Sequence, residues 1–115
     1  MEGEERKAKV EIKYSPGNPN SATFVFHGED HTIGNALRYM CIRNADVGFC
    51  GYSVPHPSDD MMNIRIQMKD PNGDPISALR KGLTDLKEVG THMLLTFENQ
   101  VALFDSGLQD EEMQL

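Results

Sequence analysis

Apolar and charged residues alternate near the start of the chain, which is the pattern of a strand with one buried face. Val10, Ile12 and Tyr14 alternate with lysine and glutamate. Residues 15–20 are rich in Pro, Gly and Asn, which favour turns, and an apolar strand pattern follows at 23–27. The two segments therefore predict a hairpin with a fairly long loop.

Two later segments also have strand patterns. Residues 61–69 place methionine and isoleucine on one face and polar side chains on the other. Residues 48–54 predict a further strand, which ends at the prolines of 55–57. Together with the hairpin, these segments predict a four-stranded, mainly antiparallel sheet with one polar face.

A first helix is predicted after Gly28. Asp30 or Thr32 is suited to cap its free backbone amides. Apolar residues at helical spacing then form a stripe over about four turns: Ile33, Leu37, Met40, Cys41 and Val47. Asn35 and Arg38 lie off this stripe and are interpreted either as packing or contact residues or as plainly exposed ones.

A second, longer helix is predicted from Pro75, with Asp74 as its N-cap. Apolar positions in it step by three and four over about 30 residues, as in a heptad repeat. This seam comprises Ile76, Leu79, Leu83, Leu86, Gly90, Met93, Phe97, Gln100 and Phe104. At a rise of about 1.5 Å per residue, such a helix is about 45 Å long.

The long helix has more apolar surface than a small sheet can cover. Either the helix lies across its own sheet, or a second chain buries part of the surface. Gly82 and Gly90 favour close approach of a neighbouring backbone, because a glycine inside a helix costs about 1 kcal/mol relative to alanine. Gln100 either sets the register of such a contact or marks its end.

The element order is ββαββα, which predicts an α+β fold with both helices on the apolar face of the sheet. A chain of 115 residues has room for one domain. We assign residues 1–7 to a disordered N-terminal tail, 8–106 to the domain and 107–115 to an acidic C-terminal tail.

The composition narrows the classes of function that the chain can have. The net charge of −7 disfavours nucleic-acid binding, which depends on Lys and Arg against phosphates. Cys41 and Cys50 form no CxxC motif and are typical of reduced intracellular thiols, although a disulfide between them stays open. No apolar run approaches the ~20 residues that span a bilayer, and residues 1–7 lack the apolar core of a signal peptide. The pattern predicts a soluble intracellular chain.

Little in the sequence indicates chemistry. The chain has no glycine-rich phosphate loop, and no local signature favours a cysteine nucleophile. His31, Cys41, Cys50 and His56 match no ordinary metal-ligand spacing, so a small Cys/His metalloenzyme is an unfavoured alternative. We predict no catalytic residues, no metal and no cofactor.

One segment resembles a known family. Residues 29–38, Glu-Asp-His-Thr-Ile-Gly-Asn-Ala-Leu-Arg, resemble the alpha motif of RNA polymerase alpha-like subunits. Residues 49–57 and 63–67 extend the resemblance to the smaller alpha-like subunit of eukaryotes, in detail the form shared by RNA polymerases I and III. The RNA polymerase II and archaeal counterparts are the alternatives.

The resemblance implies a fold like the dimerising domain of the bacterial alpha subunit, and a non-catalytic role. It implies a heterodimer with the larger alpha-like subunit, formed by packing helices of both chains. This dimer is the platform on which the largest and second-largest subunits assemble, for synthesis of rRNA, 5S rRNA and tRNA. Location in the nucleus, including the nucleolus, follows, without a membrane or direct nucleic-acid contact.

The same resemblance and the helix seams together give the predicted site residues. The alpha-motif residues are His31, Thr32, Gly34, Asn35 and Arg38. The partner-binding residues are Ile33, Leu37, Met40, Ile76, Leu79, Leu83, Leu86, Gly90, Met93 and Phe97.

Overall fold

The computed structural model describes residues 9–56, 58 and 60–107, so most of both predicted tails lies outside the described residues. The elements follow the order ββαββα, which confirms the prediction. They are β1 (Val10–Ser15), β2 (Asn18–His27), α1 (His31–Ile42), β3 (Val47–Ser53), β4 (Met61–Met68) and α2 (Pro75–Asp105).

The strands form one sheet in the order β1-β2-β4-β3, and every neighbouring pair is antiparallel. Phe24 of β2 pairs with Ile12 on one side and Ile64 on the other. Because paired residues project from the same face, these three side chains belong to one apolar row across the sheet. The predicted four-stranded antiparallel sheet with an apolar face is confirmed.

The first hairpin is tighter than predicted. Only Pro16 and Gly17 lie between β1 and β2, and Gly17 has a φ of 75°. A glycine in the left-handed region can close a turn within two residues, so the strand resumes at Asn18. The side-chain amide of Asn20 also donates to the Met68 carbonyl at 3.1 Å, which ties the start of β2 to β4.

Helix α1 begins after Asp30, whose carboxylate accepts from the Thr32 amide at 2.9 Å. Of the two candidate caps, Asp30 is therefore the one used. The helix ends at Ile42, so the predicted extension of its stripe to Val47 is wrong. Asn44 accepts the Asp46 amide on its side chain and the Val47 amide on its carbonyl, and this turn carries Val47 into β3.

The core lies between the sheet and the helices. It includes Phe24, Ile64 and Ile66 from the sheet, Leu37 from α1, and Leu79 from α2. At Gly82, an added Cβ would lie 2.8 Å from Cys41 Sγ and 3.4 Å from Leu37 Cδ1. Gly82 thus permits a close approach, but the neighbour is α1 of the same chain, so Gly82 does not support burial by a second chain.

The contacts divide the chain into two units, residues 1–84 and 85–115, with the boundary inside α2. In the first unit, Asp74 caps α2 by accepting the Ile76 amide at 3.0 Å and the Ser77 hydroxyl at 2.8 Å. Pro75, Ala78, Leu79 and Gly82 are the buried residues of α2. The predicted cap and long C-terminal helix are confirmed.

Candidate protein-interaction surfaces

The alpha motif forms the capped start of α1, which is anchored to β3 by an aromatic side chain. His31 Nδ1 lies 3.2 Å from the Tyr52 hydroxyl, and the two rings meet edge to face with centroids 5.6 Å apart. An added Cβ at Gly34 would lie 2.5 Å from a Tyr52 ring carbon. Gly34 therefore supplies the space in which Tyr52 packs, and Tyr52 is a motif contact that spacing alone does not reveal.

The cap of α1 is electrostatically favourable. The Thr32 backbone amide donates to Asp30 and holds the pKa of this exposed carboxyl below its ordinary value of 3.8. The negative charge lies at the positive end of the helix dipole. The motif thus fixes where α1 begins, and Thr32 contributes its backbone amide to that cap.

Two residues of the motif do not pack in the core and face solvent instead. Asn35 and Arg38 are both exposed, on a different side of α1 from Leu37. This placement agrees with their position off the apolar stripe.

The predicted partner-binding residues of α1 divide by depth. Leu37 is fully buried in the core, whereas Ile33 and Met40 are half-buried. Leu37 is therefore a core residue that packs beneath the helix surface. A fully buried side chain has no area left for another chain to cover.

The same division holds at the start of α2. Leu79 is buried and Ile76 is half-buried against the core, but Leu83 is 41% exposed. The predicted seam is thus a core element at its first two positions and a surface element from Leu83 onward.

In the second unit, the seam is largely exposed. Leu86 is half-buried, but Met93 and Phe97 are each 64% exposed, and Gly90 has no atom within 4 Å of an added Cβ. Further exposed apolar side chains widen this surface: Val89, Leu94, Leu95, Val101 and Phe104. An apolar helix surface of this kind is typical of a protein-interaction site.

A second apolar surface was not among the predicted site residues. Val10, Ile12 and Tyr14 were predicted to form the buried face of the first strand, but they are 36%, 46% and 50% exposed. Their partners across the sheet, Phe26, Phe24 and Ala22, are buried. The β1 residues therefore extend the core face of the sheet outward into an exposed apolar row.

The position of α1 explains this exposed row. Helix α1 contacts β3 and β4, at the opposite side of the sheet from β1. A helix is about 10 Å wide and strands lie about 4.8 Å apart, so one helix covers about two strands. Helix α1 on β3 and β4 therefore does not cover β1, and the strand order that decides this is not visible in the sequence.

The described residues contain neither a cluster of metal-ligating side chains nor a helix able to span a membrane. Among them, no group of three or more His, Cys, Asp or Glu side chains is placed to hold a metal ion. His31 instead contacts Tyr52, and hydrogen bonding to Cys41 holds the pKa of the buried Cys50 thiol below its ordinary value. Likewise, no helix in the described part of the chain combines the length and apolarity needed to cross a membrane.

The fold and its two exposed apolar surfaces define a protein-interaction domain. Residues 21–95 match the RNA polymerase Rpb3/Rpb11 dimerisation domain. The chain belongs to this family, so the resemblance predicted from the alpha motif is confirmed.

Named relatives agree with this assignment. The chain is 50% identical to the RNA polymerases I and III subunit rpc19 of Dictyostelium discoideum, over 79% of this chain and 76% of that protein. It is 45% identical to the RNA polymerases I and III subunit RPAC2 of Danio rerio, over 89% and 88%. Identity to the RNA polymerase II subunit rpb11 of Dictyostelium discoideum is 39%, over 72% and 68%.

A solved structure has the same fold. RNA polymerase subunit L from Thermoplasma acidophilum superposes with a TM-score of 0.68, covering 86% of this chain and 96% of that one. At 21% sequence identity, this likeness supports the ββαββα architecture alone.

Proposed function

We propose that this chain is a non-catalytic subunit shared by RNA polymerases I and III, which heterodimerises with the larger alpha-like subunit. The observation that carries the dimer is the exposed apolar seam of α2, in a chain whose family is a dimerisation domain. Identity of 50% to the Dictyostelium discoideum subunit of polymerases I and III, against 39% to its polymerase II counterpart, favours the shared form.

The role that follows is assembly rather than chemistry. The heterodimer is the platform for the largest and second-largest subunits, and so supports synthesis of rRNA, 5S rRNA and tRNA in the nucleus and nucleolus. Asn35 and Arg38, exposed beside the anchored start of α1, are candidate contacts to a large subunit. The net charge of −7 argues against direct binding of nucleic acid, and the role requires no cofactor.

The partner-binding surface consists of the exposed residues of the two helices. Leu83 contributes in the first unit, and Met93 and Phe97 contribute most of their side chains in the second. Fully burying a side chain of this size contributes about 1.5–3 kcal/mol. Several such side chains together supply the affinity of a stable subunit contact.

The direct test is coexpression with the larger alpha-like subunit, followed by mass measurement in solution. The wild-type chain should form a one-to-one complex, and Met93→Asp or Leu83→Asp should abolish it, because burying an unpaired carboxylate costs several kcal/mol. Lys87→Ala, on the same helix, should bind normally. Tight binding of the aspartate variants would disprove the helix surface.

The exposed β1 row of the first unit is a separate candidate for partner binding, because it is an apolar surface that α1 does not cover. Ile12→Asp places a charge in the row, whereas Lys13→Asp places one on the opposite sheet face, where Lys13 pairs with Thr23. We expect Ile12→Asp to weaken the complex and Lys13→Asp to leave it intact. Equal binding by both variants would exclude β1 from the interface.

The choice of polymerase needs its own experiment. The tagged chain should copurify with the largest subunits of polymerases I and III and not with those of polymerase II. Recovery of polymerase II alone would support the alternative, the small alpha-like subunit of that enzyme, while leaving the dimer proposal in place.

A further inference from the structure

The outer face of the sheet, opposite the core, carries an exposed aromatic side chain. Phe49 of β3 is 52% exposed, whereas its neighbour Cys50 is buried in the core. Successive strand residues project from opposite faces, so Phe49 belongs to the outer face. An added Cβ at Gly51 would lie 3.0 Å from Phe49 Cζ. The ring therefore lies over Gly51, and the missing side chain at that position gives it room against the sheet.

A shallow groove adjoins this ring. It has a volume of about 350 Å³ and is lined by residues of three neighbouring strands. Phe49 and Gly51 border it from β3, Thr23 from β2 and Arg65 from β4. The groove thus combines an aromatic ring, a hydroxyl and a guanidinium.

Two cationic residues flank Thr23 on this face. The strand register places Lys13, Thr23 and Arg65 in one row across β1, β2 and β4. Strands are spaced about 4.8 Å apart, so the backbones of the two cationic residues are about 10 Å apart, with Thr23 midway. Both cationic residues are exposed. The row therefore concentrates positive charge in a chain whose net charge is −7.

These two cations are not neutralised by a described carboxylate. Among the described residues, neither Lys13 nor Arg65 forms an ion pair, and Glu11 on the same face lies 2.6 Å from His27 Nε2 instead. Arg65 Nη1 donates to Ser15 Oγ at 3.1 Å, which positions the guanidinium. A guanidinium has five N–H donors, so others remain to bind an anion.

We propose that the outer face binds an extended acidic segment of another protein, with a carboxylate between Lys13 and Arg65 and an apolar side chain against Phe49. A carboxylate fits because it complements the charge of the row, and the Thr23 hydroxyl can donate to it. Nucleic acid fits less well, since its affinity depends on many Lys and Arg contacts to phosphates and this row offers two.

The spacing of these groups sets the form of the segment. Gly51, under the Phe49 ring, pairs with Arg65, so it lies two strands from Thr23 in the same row. This separation of about 10 Å matches three residues of a polyproline II segment, which rises about 3.1 Å per residue and repeats its side-chain direction every three residues. The segment therefore carries an acidic residue and an apolar residue three positions apart.

The test titrates the full-length chain into a short labelled peptide in which leucine stands three positions after glutamate, and follows fluorescence anisotropy. Binding should weaken as the salt concentration rises, because the charges are exposed. A peptide with serine in place of leucine should bind about tenfold more weakly, since the contact with Phe49 is lost. A peptide with lysine in place of glutamate should not bind.

Variants of two adjacent residues separate this site from the heterodimer. Lys13→Asp should weaken peptide binding about tenfold and leave the larger alpha-like subunit bound, whereas Ile12→Asp, on the other face, should do the reverse. Phe49→Ala should also weaken peptide binding about tenfold. Circular dichroism checks the folding of each variant, and the exposed Lys13 position keeps the test in place if Phe49→Ala unfolds.

Absence of peptide binding, or equal binding by the wild-type chain, Lys13→Asp and Phe49→Ala, would overturn the proposal. Preferential binding of a single-stranded oligonucleotide would overturn it in favour of a nucleic-acid site. Peptide binding that appears only after removal of residues 108–115 would assign the face to the chain's own acidic end. Dimers of the free chain that Lys13→Asp dissociates would assign it to a second copy.

Discussion

Helix α1 and the second half of α2 have the same kind of apolar periodicity but opposite burial. On α1, the stripe residues Leu37 and Cys41 are fully buried. On α2, Met93 and Phe97 continue an equally regular seam and are 64% exposed. The α1 stripe is covered by the chain's own sheet, whereas the α2 seam has its large side chains in solvent.

The difference teaches that periodicity identifies the apolar face of a helix but not what covers that face. A contiguous row of exposed large apolar side chains on a folded chain is typical of a surface for another protein. In this family of dimerisation domains, we interpret the buried stripe as serving the fold and the exposed seam as serving the partner.

The strongest test of this comparison replaces one phenylalanine in the buried core and one in the exposed seam of α2. Phe24→Ala, at a fully buried site, should reduce the free energy of unfolding by about 3–5 kcal/mol, because it leaves a cavity. Phe97→Ala should leave it nearly unchanged, because that side chain is already exposed. Denaturation by urea, followed by circular dichroism, measures both.

Binding to the larger alpha-like subunit should separate the same two variants in the opposite order. Phe97→Ala should weaken the complex strongly while the chain stays folded. A Phe97→Ala chain that is as destabilised as Phe24→Ala would show that the seam is part of the core, and the comparison would fail.

Two glycines of α2 give a smaller and sharper contrast. Gly82→Ala should destabilise the chain by about 1–3 kcal/mol, because its Cβ would press on the Cys41 sulfur at 2.8 Å. Gly90→Ala has open space and should stabilise the chain by about 0.5–1 kcal/mol through helix propensity. Thermal denaturation compares the two variants directly.

The same glycine variants report on the partner. If the larger subunit approaches the backbone at Gly90, Gly90→Ala should bind it more weakly even though the free chain is more stable. Stronger or unchanged binding would remove Gly90 from the predicted partner-binding residues and leave the larger side chains of the seam.

The smallest expected effect is at the cap of α1. Asp30→Ala should lower the melting temperature at neutral pH, and Asp30→Asn should lower it less, since asparagine also caps. The pKa of Asp30 is depressed in the folded chain, so the charge stabilises above pH 3.8 and this contribution is lost as the pH falls through the lower folded value. The wild-type advantage over Asp30→Asn should therefore disappear in acid.

Much of the fold could be predicted because it depends on local patterns. The alternation at 61–69, the Asp74-Pro75 helix start and the long seam each identified an element correctly. Errors arose where one residue changes the chain direction. Gly17 closes a turn in two residues, and Asn44 turns the chain before Val47, neither of which periodicity reports.

The interaction surfaces were only partly predictable, because burial depends on what lies across from each residue. The seam residues from Leu83 onward were named, but exposure of the β1 row requires knowing which strands α1 covers. Likewise, the packing of Tyr52 against Gly34 joins residues 18 positions apart, and spacing within α1 cannot show it.

The order of the elements along the chain has a consequence for biosynthesis. The sheet, α1 and the buried turns of α2 are all encoded before residue 85, and the exposed seam follows them. During synthesis, which adds about 5–20 residues per second, the N-terminal part of a protein folds first. The apolar helix surface therefore leaves the ribosome only after the unit that precedes it has been made. This order shortens the time for which the nascent chain exposes that surface before its partner can bind.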